Sequence, residues 1–161
     1  MKKEELLTTV FGLGNLPAAP GTFGSLVPAI LYLILGYLLP SANKYVMAIL
    51  IALGAWVCIH YGPMMTALTG KKDPPQVVAD EAAGQALVML AITLLEPEKI
   101  CNAGIMGLVL FRLFDIFKPW PCKQLEKLNE GYGILADDLM AGAYAAGVFF
   151  ILSRFLPDLF G

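Results

Sequence analysis

Residues 45–68 read YVMAILIALGAWVCIHYGPMMTAL, a run without a single formal charge. A helix in water must show a polar face, whereas this one is apolar on every side, as a helix in lipid is. The pattern extends in both directions. From Leu6 to Gly70 the only formal charge is Lys44, and His60 is the only other group that titrates near neutrality. Further uncharged stretches cover 82–95, 100–111 and 139–153. The composition agrees: 58% of the 161 residues are hydrophobic and 15% charged, against about 25% charged in a soluble domain. Disorder, a coiled coil and nucleic-acid binding all require charge that is absent. One domain over 1–161 is expected at this length.

Breakers and charges bound five hydrophobic helices, at 23–39, 45–68, 77–95, 100–117 and 139–156. Pro40, Gly70, Pro74, Pro75, Pro97, Pro119 and Pro121 supply the punctuation. At 1.5 Å per residue such helices reach roughly 26–36 Å, and the hydrocarbon core is about 30 Å thick. The fold class is therefore all-α, a polytopic membrane bundle. Cys122, Leu125 and Leu128 recur at helical spacing beside Trp120, which suits a short amphipathic interfacial helix. The N-terminus does not read as a secretory signal, because MKKEE sets acids beside its lysines and the apolar run 6–11 is short. Cys58, Cys101 and Cys122 are expected to stay unpaired.

A cytoplasmic N-terminus sorts the basic residues eight to three. Lys2, Lys3, Lys71, Lys72, Arg112, Lys118, Lys123 and Lys127 lie inside, against Lys44, Lys99 and Arg154 outside. Acids carry little orientation information, yet Glu4, Glu5, Asp73, Asp80, Glu81, Asp115, Glu126, Glu130, Asp137 and Asp138 also fall inside. Only Glu96, Glu98 and Asp158 fall outside. A site on the inner face accounts for the excess.

Four segments bring unusual chemistry to that face. In GLGNLPAAPGTFGSL (12–26), Gly-rich backbone and the polar Asn15, Thr22 and Ser25 run into a helix start that favours an anion; the plain alternative is an interfacial turn. In DPPQVVADEAAGQ (73–85), Asp80 and Glu81 begin a helix, and Gly84 one turn on lets another helix approach. An acidic helix start alone would also be common. In FRLFDIFKPWP (111–121), Arg112, Asp115 and Lys118 recur every three residues on one face, as phosphate-binding groups beside an acid or as a salt-bridge ladder. In GYGILADDLMAGAYA (131–145), Asp137 and Asp138 open the last helix, with Gly142 one turn after Asp138.

Paired carboxylates at lipid depth are tolerable when a divalent cation or basic side chains neutralise them. Oxygen ligands favour Mg²⁺ or Mn²⁺ over zinc or copper. No cysteine is followed by an arginine six residues on, which excludes a cysteine-phosphatase loop, and His60 reads as a core histidine. Metal-assisted chemistry on a bound anion remains.

Together the four segments resemble the bacterial phosphatidylglycerophosphatase A family, although Tyr132 and Leu135 stand where relatives often carry Gly and Met. The resemblance implies an enzyme of the bacterial inner membrane that uses Mg²⁺ to hydrolyse the terminal phosphomonoester of phosphatidylglycerophosphate. It implies catalytic roles for Asp80, Glu81, Asp115, Asp137 and Asp138. Of these, Asp80, Glu81, Asp137 and Asp138 would hold the metal, while Asn15, Thr22, Ser25, Arg112 and Lys118 would bind substrate. A CDP-lipid phosphotransferase is an alternative that wants a longer run of aspartates than Asp115 to Gly131 supplies. A small transporter would need polar groups through the whole membrane thickness, and the outer half has almost none.

Overall fold

The computed structural model describes residues 3–160, so Lys2 of the charge count lies outside the described residues. Among the described residues the chain is helical and without strands. A short α1 (Lys3–Thr8) and a 3-10 turn (Leu13–Asn15) precede α2 (Pro20–Leu38) and α3 (Pro40–Thr69). Then follow α4 (Ala79–Leu94), α5 (Ile100–Phe117), α6 (Cys122–Leu125), α7 (Glu130–Phe155) and α8 (Pro157–Phe160).

The five expected hydrophobic helices are α2, α3, α4, α5 and α7. Four are long and apolar enough to cross a membrane, at Pro20–Leu38, Pro40–Thr69, Ile100–Phe117 and Gly131–Phe155. The fifth, α4, has 16 residues, about 24 Å of helix, and is shorter than a span. It is the packing centre instead. Helices α2, α3, α5 and α7 all contact it, and Ala83, Ala86, Val88, Met89 and Ile92 lose all solvent exposure there.

Two boundaries move by five residues or more. The α3 helix starts five residues before the expected Tyr45 because Pro40, with no N–H to satisfy, fits the first helical position. The last helix starts at Glu130 and not at Leu139. Gly131 looks like a breaker, yet it is where α7 lies against α3: a Cβ there would come within 2.1 Å of the Cys58 carbonyl oxygen. Asp137 and Asp138 are therefore two turns inside α7, and the expectation that they open it is corrected.

His60 also differs from expectation. It is exposed on α3, stacked on Trp56 with ring centroids 5.5 Å apart, and is not a core residue. The buried stripe of α3 runs through Gly54, Val57, Cys58, Gly62 and Met65, and the helical repeat turns position 60 away from it. The amphipathic segment after Trp120 shortens to the single turn of α6, while Trp120 itself stays exposed.

The chain reverses at each connection, so the starts of α2, α4 and α7 and the ends of α3 and α5 share one end of the bundle. Every segment singled out in the sequence reaches that end. The link between α3 and α4 is tied down there by a backbone hydrogen bond from Val78 N to Thr8 O (2.9 Å).

Candidate active site

Asp80 and Glu81 occupy the first turn of α4, where the helix dipole favours carboxylates. Across from them, α7 delivers Asp138. One oxygen from each of Asp80, Glu81 and Asp138 lies within 4.8 Å of the other two. Asp80 is 5% exposed and Asp138 3%, so three carboxyl groups share a site from which water is largely removed. Their mutual approach depends on backbone contact. A Cβ at Gly142 would sit 2.6 Å from the Gly84 carbonyl oxygen, and one at Gly84 would sit 2.6 Å from the Asp138 carbonyl oxygen. The α4–α7 crossing is thus closed by two glycines, one turn beyond the acids on each helix.

Cations flank the acids on α5. Arg112 Nη1 pairs with Asp115 Oδ2 at 2.5 Å and donates to the buried Ser25 hydroxyl at 3.4 Å. Ser25 in turn donates to Gly21 O at 2.9 Å. Lys118 caps the C-terminus of α5 with φ 43°, a left-handed conformation uncommon for a side-chain-bearing residue. Its ammonium bonds Asp137 Oδ2 at 2.5 Å and lies 3.7 Å from Glu126 and 3.9 Å from Asp73. Partial burial would lower the Lys118 pKa, but the hydrogen bond and charge of Asp137, with Asp138 and Asp73 behind, outweigh it and hold it above the ordinary lysine range.

The polar satisfaction of this site is incomplete. Asp80 Oδ1, Glu81 Oε2, Asp137 Oδ1, Asp138 Oδ2 and Arg112 Nε are buried without a hydrogen-bond partner. Buried polar atoms are ordinarily paired, and here four orphaned carboxylate oxygens and one orphaned guanidinium N–H, groups that a cation and an anion could satisfy, lie in one place.

The sequence profile of the family described as Phosphatidylglycerophosphatase A matches residues 6–153. The chain belongs to this family. A Phosphatidylglycerophosphatase A of Haemophilus influenzae is 38% identical over 94% of this chain and 89% of its own length. One of Escherichia coli is 29% identical over 94% and 84%. A Bacteroides thetaiotaomicron protein, provisionally named a phosphatidylinositol-3-phosphatase, is 35% identical over 87% of each chain. No solved structure matches.

In this member of the phosphatidylglycerophosphatase A family, the expected site residues divide into groups. Asp80, Glu81 and Asp138 come together, and Arg112 with Asp115 and Lys118 with Asp137 form two ion pairs beside them. Asp137 is thus held by Lys118 and is not one of the three converging acids. Ser25 is buried behind Arg112, Thr22 is half-buried in the first turn of α2, and Asn15 is exposed on the 3-10 turn.

Three contributors were not singled out from the sequence. Gly21 lets the first turn of α2 lie on the site, since a Cβ there would come 2.2 Å from Glu81 Oε1 and 3.2 Å from Arg112 Nη1. Asp73 and Glu126 surround Lys118. The glycine had a signal in its position just after Pro20, at a helix start; the two acids had none beyond falling on the same side.

Proposed function

We propose that this chain hydrolyses the terminal phosphomonoester of phosphatidylglycerophosphate, giving phosphatidylglycerol and phosphate, at the cytoplasmic face of the bacterial inner membrane. Membership of the family, which spans residues 6–153, makes it a lipid phosphatase. The observation that carries the mechanism is the convergence of Asp80, Glu81 and Asp138 with oxygens that find no partner in the protein.

Mg²⁺ fits this donor set: all-carboxylate, hard and short of positive charge. Asp80, Glu81 and Asp138 would hold it, with Asp137 Oδ1 in reserve. When bound, it supplies Lewis-acid polarisation of the phosphoryl group. The protein's own part is binding and orientation. Arg112, fixed by Asp115 and Ser25, keeps Nε for a phosphate oxygen. Lys118, anchored by Asp137, brings a second cation from the end of α5. The start of α2, against Glu81 and Arg112, adds a helix terminus that favours the same anion. Water attacks phosphorus, the bond to the glycerol oxygen breaks, and that oxygen takes up a proton.

A multi-pass topology with the site facing the cytoplasm is supported by the basic residues, which crowd the end of the bundle that carries the carboxylates. A phosphomonoester at a lipid headgroup meets the protein at that depth.

The test is phosphate release by the purified protein from phosphatidylglycerophosphate, in Mg²⁺ and in EDTA, with phosphatidylinositol 3-phosphate offered in parallel because of the Bacteroides relative. Release from phosphatidylglycerophosphate in Mg²⁺ alone is expected. Release unaffected by EDTA would refute the metal assignment, and turnover of only the inositol lipid would refute the substrate.

A further inference from the structure

A cavity of about 480 Å³ opens at the end of the bundle away from the carboxylates. That is within the roughly 300–1,000 Å³ usual for a small-molecule site. It lies between the later part of α2, the first turn of α3 and the link from α4 to α5, and is lined by Tyr32, Ser41, Asn43, Lys44, Thr93 and Glu96 among others. Asp80 and Glu81 open α4 and Thr93 closes it, so helix rise separates the two sites by roughly 20 Å. The phosphatase chemistry makes no use of this second place.

Its donors and acceptors are unbalanced in a specific way. Asn43 is 2% exposed; its Nδ2 donates to Tyr32 O at 3.1 Å, but its Oδ1 has no donor. An unpaired buried acceptor is costly, and an incoming N–H or O–H would relieve it. Lys44 and Glu96 are both exposed on the cavity wall, and neither is ion-paired among the described residues. Lys44 lies one turn into α3, close to the helix end whose dipole favours an anion. The walls therefore offer one place for an anion and another, of carboxylate and amide oxygen, for a cation that can donate hydrogen bonds. Tyr37, Leu38 and Tyr45, which neighbour the lining residues Gly36, Pro40 and Lys44 in the chain, are exposed, as apolar and aromatic residues are at a membrane boundary.

We propose that this cavity binds the headgroup of a zwitterionic phospholipid of the phosphoethanolamine type. Its phosphodiester meets Lys44 beside Ser41, and its ammonium meets Glu96 and Asn43 Oδ1. A choline headgroup has no N–H for Asn43, and a glycerol headgroup has no charge for Glu96. Free phosphoethanolamine presents the same groups without the acyl chains.

Native mass spectrometry of the delipidated full-length protein tests this. Phosphatidylethanolamine, phosphatidylcholine, phosphatidylglycerol and soluble phosphoethanolamine are offered in separate samples. The expected result is a phosphatidylethanolamine adduct favoured about tenfold over the other two lipids. Lys44→Gln and Glu96→Gln should each abolish that preference while leaving hydrolysis at the other end unchanged. Both residues are exposed, so neither change threatens folding; Asn43→Leu should also remove the preference, with its thermal unfolding followed as a control. Equal retention of the three lipids, no adduct, or a preference that survives both charge substitutions would overturn the proposal. Tighter binding of free phosphoethanolamine than of the lipid would overturn its assignment to a membrane ligand.

Discussion

Gly84 and Gly142 meet backbone to backbone, each placed one turn after an acid of the site. Because a methyl on either would lie 2.6 Å from a carbonyl oxygen, the helices cannot cross this closely with any larger residue. Gly142→Ala should force α7 from α4, costing about 1–3 kcal/mol by overpacking. Thermal unfolding should shift down by several degrees, and activity should fall further than stability because Asp138 moves with α7. An unchanged melting temperature with full activity would show that the crossing can relax.

Asp80, Glu81 and Asp138 repel one another when no cation is present. Asp138→Asn should therefore raise the melting temperature measured in EDTA while reducing phosphate release at least ~100-fold. The same substitution should shrink the stabilisation that millimolar Mg²⁺ gives the unaltered protein. A melting temperature that falls in EDTA would mean that the carboxylate is satisfied within the protein.

Lys118 holds Asp137, which is 3% exposed, so removing the ammonium leaves a buried charge unpaired. Lys118→Gln should destabilise by about 1–3 kcal/mol, a value reduced from that of a fully buried pair by the lysine's own partial exposure. Adding Asp137→Asn should recover much of that loss, and a double-mutant cycle by chemical or thermal unfolding reads the coupling. Additive effects would refute it.

Gly21→Ala places a methyl against a carboxylate end and not against backbone. Glu81 can swing aside, so stability should change little, whereas kcat should drop about 10- to 100-fold as the acid leaves the cluster. Steady-state kinetics beside thermal unfolding separates the two effects.

Cys101 is exposed near the start of α5, while Cys58 and Cys122 are buried. With the site facing the cytoplasm, a membrane-impermeant maleimide applied to intact spheroplasts should label Cys101 alone. Labelling that needs lysis would invert the topology.

Helix existence was legible because charge is nearly absent from 6 to 70 and, beyond that, falls mainly in the links and near helix ends, leaving 82–95, 100–111 and 139–153 uncharged. Less visible was where α7 begins: Gly131 and Gly133 resemble a turn until α3 is seen lying against Gly131 and the Glu126 and Leu128 carbonyls against Gly133. The adjacent Asp137 and Asp138 read as a joint pair, but consecutive helical residues point about 100° apart, so one faces Lys118 and the other Asp80 and Glu81. Glu81 escapes that divergence from Asp80 through its longer side chain. Its neighbour Gly21 could not be ranked above the other glycines of its loop until the α2 start was located.

The shortness of α4 has a consequence for biogenesis. A 16-residue helix with two carboxylates in its first turn partitions poorly into lipid alone, whereas α2 and α3 ahead of it carry their own apolar span. Only α2 and α3 of its partners precede it, and α7, which carries Asp138, is the last of them to be synthesised. Asp80 and Glu81 therefore meet Asp138 only when the final long helix docks, so the three acids converge in the finished molecule alone.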